Sequence, residues 1–446
     1  QWNLRPGIAL TPDQIAQLTS DMVWLVTQEV TLADGSRQSV LVPQVYVRVK
    51  PGDLDGSGAL LAGADVNLNL SGDLSNSGTI AGRNAVQVSA DNIRNLAGTI
   101  SADSVSLNAK QDIDNIGGLI EGVSAAVAIA GRDINLSTTT QSSFNTAGAN
   151  SFAQTGIDRV AGLYVKGEVG TLVASAGRDL NLTAAQIGNA GSGATVLAAG
   201  NNLNLSAVST GSSQSLNWDA NNRLNQSSSQ DVGTQINTGG SLILSADNDL
   251  SAKAATVNAA GALSALAGHN INITAGQATL SLDEAHQHTS SGFLSSSTTT
   301  TRNQLQSTTA VASNFEGQSV SISAGQDLSV KGSNVLADQN VSLNAGGNVK
   351  IEAAQNTQSQ SSFSQTTTSG LMSGGGIGFT VGSRMQSVDG QGTSTTAAGS
   401  TVGSTGGNVT INAGRAYTQT GSDVLTPNGN IDISAKAVTI NEARET

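Results

Sequence analysis

The sequence contains no cysteine, which excludes a disulfide framework and thiolate-held metal. Proline occurs only 5 times in 446 residues, aromatic residues make up 3% and charged residues 12%. The large anchors of a single globular core and the salt-bridged surfaces of ordinary enzymes are therefore both scarce. No apolar run is long enough for a membrane-spanning helix. The formal net charge is -12 and clustered Lys and Arg are missing, which argues against a nucleic-acid partner. The chain opens at Gln1 with neither Met nor a signal peptide and reads as an internal piece of a longer protein.

What is present is Ala, Val, Ile and Leu interleaved with Ser, Thr, Asn and 52 glycines. The apolar residues recur in order, which argues against disorder. Residues 77–82 (SGTIAG), 97–102 (AGTISA) and 117–122 (GGLIEG) place Gly78, Gly98, Gly118 and Ile80, Ile100, Ile120 twenty residues apart, one solenoid period. A second theme is a Gly turn followed by a short alternating strand, as in AGRDINLST from 130, AGRDLNLTA from 176 and AGHNINITA from 267. Ile134 and Leu136 then share one inward face, with Asn135 pointing out. Such a period fits three short strands per coil, each stacked on its equivalent about 4.8 Å away. Glycine at the corners supplies the backbone angles, and Asn or Asp beside it bonds the turn. The expectation is an all-β, right-handed parallel β-helix over residues 56–446.

Ser/Thr/Gln-rich excursions interrupt the ladder at about 138–160, 208–236, 283–315 and 355–405. Their lead-in strands begin at 134 (INLS), 203 (LNLS), 279 (TLSL) and 349 (VKIE), so a unit of about seventy residues repeats above the coil. AVTINEA at 437–443 resembles ATLSLDEA at 278–285, as though a fifth excursion would begin there. Leaving out the excursions predicts about 13 coils and a rod of roughly 60 Å. The first 55 residues differ. Thr11-Pro12-Asp13-Gln14 is a capped helix start, and Asp34-Gly35 between QEVTL and SVLVPQVYV is a hairpin turn. Together with Trp2 and Trp24 they suit a small α+β cap on the open end of the helix.

Chemistry finds little support. Asp133 and Asp179 recur in the AGRD turns, which suits turn bonding better than acid–base catalysis, and Arg83, Arg132 and Arg178 read as solvated corner residues. His286 and His288, near Asp283 and Glu284, are the one close His pair, more simply polar residues at an excursion base than a metal site. Asp53, Asp55 and Ser57 imitate the start of a calcium loop, but Ala64 stands where the bidentate Glu belongs. GSGATVLAAG from 191 lacks the Lys-Ser/Thr pair of a phosphate loop. No enzyme, cofactor or metal is expected.

The aromatics are more informative. Phe144, Phe152, Phe293, Phe315, Phe363, Phe379 and Trp218 all fall in the excursions or at their edges, which suggests that aromatics are kept out of the shaft. Ile377, Phe379 and Val381 alternate with Gly378, Thr380 and Gly382 in a nearly uncharged stretch, as in a membrane-facing strand. With Trp218 and Phe293 they form the expected contact set for a membrane or protein partner. The competing expectation is that these aromatics only pack the hairpins together or onto the shaft.

The Gly-Arg-Asp-Leu-Asn-Leu strands, the seventy-residue units and LTPDQIAQLTSDMVWLV followed by VLVPQVYV resemble the hemagglutinin-repeat region of filamentous-hemagglutinin-like two-partner-secretion exoproteins. The N-terminal block points in particular to contact-dependent growth inhibition effectors of the CdiA type, at the junction leading into the C-terminal repeat region. The resemblance implies a secreted, cell-surface segment, held in the periplasm before deployment. It would then engage the target-cell outer membrane or an outer-membrane protein and help pass a C-terminal toxin domain inward. Implied partners are the adjoining domains of the exoprotein and its outer-membrane secretion partner. The alternative is the shaft of a filamentous adhesin for host-cell or biofilm attachment.

Overall fold

The computed structural model describes residues 7–10, 14, 22–31, 37–46, 59–373 and 379–446. The chain divides into two compact units, Gln1–Leu60 and Leu61–Thr446, and every described element is a strand. In the first unit Met22–Thr31 and Arg37–Tyr46 pair antiparallel over their full length, and the Trp24 indole N–H donates to the Ile8 carbonyl at 3.0 Å. The Asp34-Gly35 turn, Thr11–Asp13 of the expected helix start, Trp2 and the 53–58 loop lie outside the described residues.

The second unit is a parallel solenoid with three strands per coil. One coil is Thr99–Ala109, which bends between Ala102 and Ser104 to serve two faces, followed by Ile113–Ile116 on a third. The third face runs unbroken through twelve strands from Leu74–Asn76 to Ala437–Asn441. Twelve stacked strands span roughly 50 Å, one coil fewer than the sequence suggests.

Like residues stack on like. The first-face ladder runs Ile80, Ile100, Ile120, Leu163, Ile187, Ile236, Val257, Phe315, Val335, Val402. Ile134 stacks on Leu180 and Leu136 on Leu182, all at most 1% exposed. Each such burial contributes about 1.5–3 kcal/mol. Asn135 and Asn181 face outward between them and join side chain to side chain at 2.9 Å. The expectation that aromatics avoid the shaft is corrected at three places, the first being Tyr164, half-buried on the first-face strand Gly162–Val165. Phe315 is a fully buried rung between Val257 and Val335, and Tyr417 is fully buried on the third face above Val349. Burial pushes the Tyr417 phenol up to about 12.

Asn also faces inward, which the alternation did not suggest. Asn76, Asn95 and Asn115 stack inside the first coils, with Asn76 donating to Asn95 and Asn95 to Asn115 at 2.8 Å each. A Cβ on Gly118 would lie 2.4 Å from both Asn115 Oδ1 and Asn95 Nδ2, so the twenty-residue glycine period belongs to this amide stack.

The corner entering the third face carries a second ladder. The backbone N–H of Asp133 donates to Asp112, that of Asp179 to Asp133, that of Asn202 to Asp179, and that of Asp249 to Asn202, at 3.1–3.3 Å. The series continues through Asn270, Asp327 and Asn348. Unscreened carboxylates one coil apart repel by about 1 kcal/mol even in water. Asp alternates with Asn from 202 onward, whereas Asp112, Asp133 and Asp179 are consecutive. There Arg132 bridges back to Asp112 and Arg178 to Asp133, with Nε–Oδ1 distances of 2.7 and 2.8 Å. These arginines are thus paired corner residues, not simply solvated ones. The Arg132 hydrogen bond holds the Asp112 carboxyl below its ordinary range.

Candidate functional site: a hairpin sheet on the shaft

From the second coil onward, the corner between the third face and the next first-face strand closes in one of two ways. In the tight form one residue takes a left-handed conformation: Ala97, Gly117, Ala184, Ala254, Gly332 and Gly421, with φ between 47° and 58°. In the other form the chain leaves as an antiparallel hairpin. The four hairpins are Thr140–Ala147 with Asn150–Ile157, Val208–Asn217 with Arg223–Val232, Gly276–Ser291 with Ser295–Val311, and Ala354–Ser373 with Phe379–Ala398.

Two of the expected boundaries need correction. The third lead-in strand is Ile271–Thr274, and Thr279–Leu282 already lies inside the third hairpin. Ala437–Asn441 instead stacks on Ala416–Thr420 in the shaft, so its likeness to 278–285 is not one of position.

From the first hairpin on, hairpin and tight corner alternate from coil to coil. Two coils rise by about 9.6 Å, which is also the width of a two-stranded hairpin. Each hairpin therefore meets the next edge to edge, and the outgoing strands pair with the following incoming strands. The product is one eight-stranded antiparallel sheet. Its strands lengthen along the shaft from 8 to 10, then 16 and 17, then 20 residues.

This sheet has no core. Among its described side chains only Gly276, at its base, and Ala285 are buried. Main-chain pairing and hydroxyl contacts hold it, among them Ser229–Thr279 at 2.7 Å, Ser142–Thr155 at 2.8 Å and Thr299–Thr366 at 3.2 Å. Each tip is also fastened to its longer neighbour. Asn217 Nδ2 donates to the Ala149 carbonyl and Asn221 Nδ2 to Gln287 Oε1, both at 2.8 Å. The Leu371 N–H donates to the Leu294 carbonyl, also at 2.8 Å.

That last contact gathers apolar side chains at the far end. Phe293 is fully exposed and Leu294 57% exposed, Leu371 is joined to Leu294, and Val381, 75% exposed, lies opposite Leu371 in the fourth hairpin. Phe293 and Val381 of the expected contact set are thus brought to one end of the sheet. Phe379 closes the pairing opposite Ser373, and Ile377 lies outside the described residues. Trp218 sits apart, at the tip of the second hairpin, its ring centroid 6.1 Å from that of His286. Leu294 and Leu371 were not singled out in the sequence, since each belongs to a different excursion. Exposed Met385 and Val388 were missed because they lie on opposite faces of their strand.

Charge is sparse here and in part engaged. Arg223 pairs with Asp283, and His286 with Glu284. The Asn222 side chain and the Asn221 N–H hold the Asp219 carboxyl below its ordinary range. Among the described residues no group of three or more His, Asp or Glu is placed to hold a metal ion. Asp133 and Asp179 serve the corner ladder described above.

The profile described as Hemagglutinin repeat matches residues 219–301 and 292–446, half of the chain, the two matches overlapping from the third hairpin tip. The chain belongs to the hemagglutinin-repeat family. The chain is 38% identical over 285 residues to the deoxyribonuclease CdiA of Dickeya dadantii strain 3937, covering 62% of this chain and 8% of that protein. It is 35% identical over 195 residues to the 16S rRNA endonuclease CdiA of Enterobacter cloacae, covering 43% and 6%. It is 33% identical over 200 residues to the tRNA nuclease CdiA of Escherichia coli strain STEC_O31, covering 44% and 6%. The matched stretch is under a tenth of each of these relatives. No solved structure matches the chain.

Proposed function

We propose that this chain is a non-catalytic segment of a secreted, CdiA-like contact-dependent toxin-delivery exoprotein. Residues 56–446 form a right-handed β-helical shaft, and residues 1–55 cap or join it. The hairpin sheet is the working surface. Its far end engages the target-cell outer membrane or a protein within it and helps a C-terminal toxin domain across. The segment needs no cofactor, metal or nucleic acid of its own. It reaches the cell surface through the outer-membrane secretion partner, after a stay in the periplasm, and works with the adjoining domains.

The observation that carries this reading is the exposed apolar end of an otherwise polar, coreless sheet. Phe293, Leu294, Leu371 and Val381 meet there, and Ile377, Phe379 and Trp218 complete the proposed contact set. Strands in lipid must have paired backbones, and the hairpin sheet supplies that pairing everywhere between its two edge strands. A charge on a lipid-facing strand position near the bilayer centre costs roughly 2–4 kcal/mol, whereas on a solvated tip it costs almost nothing. The test is Phe293→Arg with Val381→Arg in the full exoprotein, scoring secretion, receptor binding and toxin delivery separately. Lost delivery with normal secretion and binding supports the reading; normal delivery rejects it. Normal delivery with lost attachment to host cells or biofilm would instead favour the adhesin shaft.

A further inference from the structure

Among the described residues, Phe379–Ala398, the outgoing strand of the fourth hairpin, is paired along one side only. At its base Thr395 exchanges both main-chain hydrogen bonds with Thr446, at 2.7 and 3.1 Å. The Ala397 N–H also donates to Glu445 at 3.0 Å. Bonding direction alternates along a strand. The odd-numbered residues therefore point their N–H and C=O groups outward, and from Val381 to Thr393 these meet no strand among the described residues.

Exposed edges of this length are usually blunted by proline, a bulge or charge. Here there is no proline, the register with Ala354–Ser373 is unbroken, and Arg384 and Asp389 are the only charges between residues 379 and 394. Val381, Met385 and Val388 stand 63–75% exposed along it.

We propose that this edge is a β-augmentation site. Its occupant is an extended, proline-free Ser/Thr-rich strand of the kind that opens a hemagglutinin-repeat hairpin, added antiparallel. The argument is continuity. The outgoing strands Asn150–Ile157, Arg223–Val232 and Ser295–Val311 are each covered by such an incoming strand. On the fourth outgoing strand the Thr395–Thr446 pair begins the same arrangement. Main-chain bonds supply the affinity, and the exposed Val and Met side chains pack on alternate residues of the incoming strand.

The probe is a fluorescein-labelled peptide with the sequence of residues 276–291, titrated into the whole chain and followed by anisotropy. Saturable binding is expected. Ser387→Pro, which deletes an outward N–H without touching the bonds to Ala354–Ser373, should weaken it at least tenfold, while Ser387→Thr should not. A peptide N-methylated at alternate residues along its pairing edge should fail to bind. Absence of saturable binding, or equal binding to Ser387→Pro with an unchanged circular dichroism spectrum, overturns the proposal. So does a dimer of the chain that Ser387→Pro dissociates and the peptide cannot compete with, since the occupant would then be a second copy. None of these readings involves a membrane, so they stand or fall separately from the far-end contact.

Discussion

Replacing Gly98 by alanine tests whether the buried amide stack, more than backbone freedom, fixes glycine in the first coils. A Cβ at this position would lie 2.5 Å from Asn76 Nδ2 and 2.6 Å from Asn95 Oδ1, the two atoms that bond each other at 2.8 Å. Neither can swing away cheaply, because Asn95 is 0% exposed and Asn76 7%. Breaking the bond leaves buried amide groups unpaired, at about 1–3 kcal/mol, and forcing the methyl in adds a comparable overpacking cost of about 1–3 kcal/mol. The expected loss is therefore about 2–6 kcal/mol, against the ~0.4–1 kcal/mol gain that Gly→Ala brings where the backbone is unstrained. Gly72, with nothing within 4 Å of its Cβ position, is the internal control. Urea unfolding followed by circular dichroism gives both numbers. Repeating Gly98→Ala in an Asn76→Ala background should recover at least ~1 kcal/mol as coupling energy. The reasoning is refuted if Gly98→Ala costs no more than Gly72→Ala, or if the two mutations add without coupling.

Three further outcomes are expected. Replacing residues 353–399 by one glycine would join Glu352 to Ser400 as Gly332 joins Lys331 to Ser333; shaft β content and cooperative unfolding should persist, and aggregation of the product would show that the hairpin belongs to the core. Ala184→Gly, at φ 47°, should stabilise by up to ~1 kcal/mol in thermal or urea unfolding, because relief of the left-handed strain exceeds the entropy that glycine adds to the unfolded chain. The Asp112 carboxyl is held below its ordinary value, so its contribution is present above the unfolded carboxylate pKa of about 4 and lost as pH falls through the lower folded value. Stability of Asp112→Asn measured against pH should accordingly fall less steeply on the acid side than that of the wild type; equal slopes would dismiss the Arg132 pairing.

The shaft was legible in the sequence because solenoid stacking repeats the same environment every coil. Ile134 and Leu180 share a register, and the sequence around them is correspondingly alike. What was not legible depends on contacts between residues far apart in the chain. The inward Asn stack looked like turn chemistry until Asn76 and Asn95 were seen to bond across 19 residues. Phe315 reads in the sequence as the end of an excursion because it follows one directly, yet it is the first inward residue after the chain rejoins the first face. Of the contact set, Val381 stands out in the sequence by its alternation with Ile377 and Phe379, and Phe293 as an aromatic confined to an excursion. Their gathering at one end depends on the Leu371–Leu294 bond, which joins separate hairpins and leaves no local pattern.

The seventy-residue unit follows from the same geometry. A single-layer sheet can grow beside a solenoid only if both advance at one rate, and a two-stranded hairpin advances as far as two coils. One hairpin per coil would crowd. One per three coils would leave unpaired edges on sheets too small to be stable in water. One per two coils satisfies every internal edge, which is the alternation of hairpins with the tight corners at Ala184, Ala254, Gly332 and Gly421. The constraint fixes hairpin width but not hairpin length. Strands can therefore lengthen from 8 to 20 residues while the coils beneath them stay alike. Each longer hairpin extends beyond its shorter neighbour, and the two longest share the apolar far end.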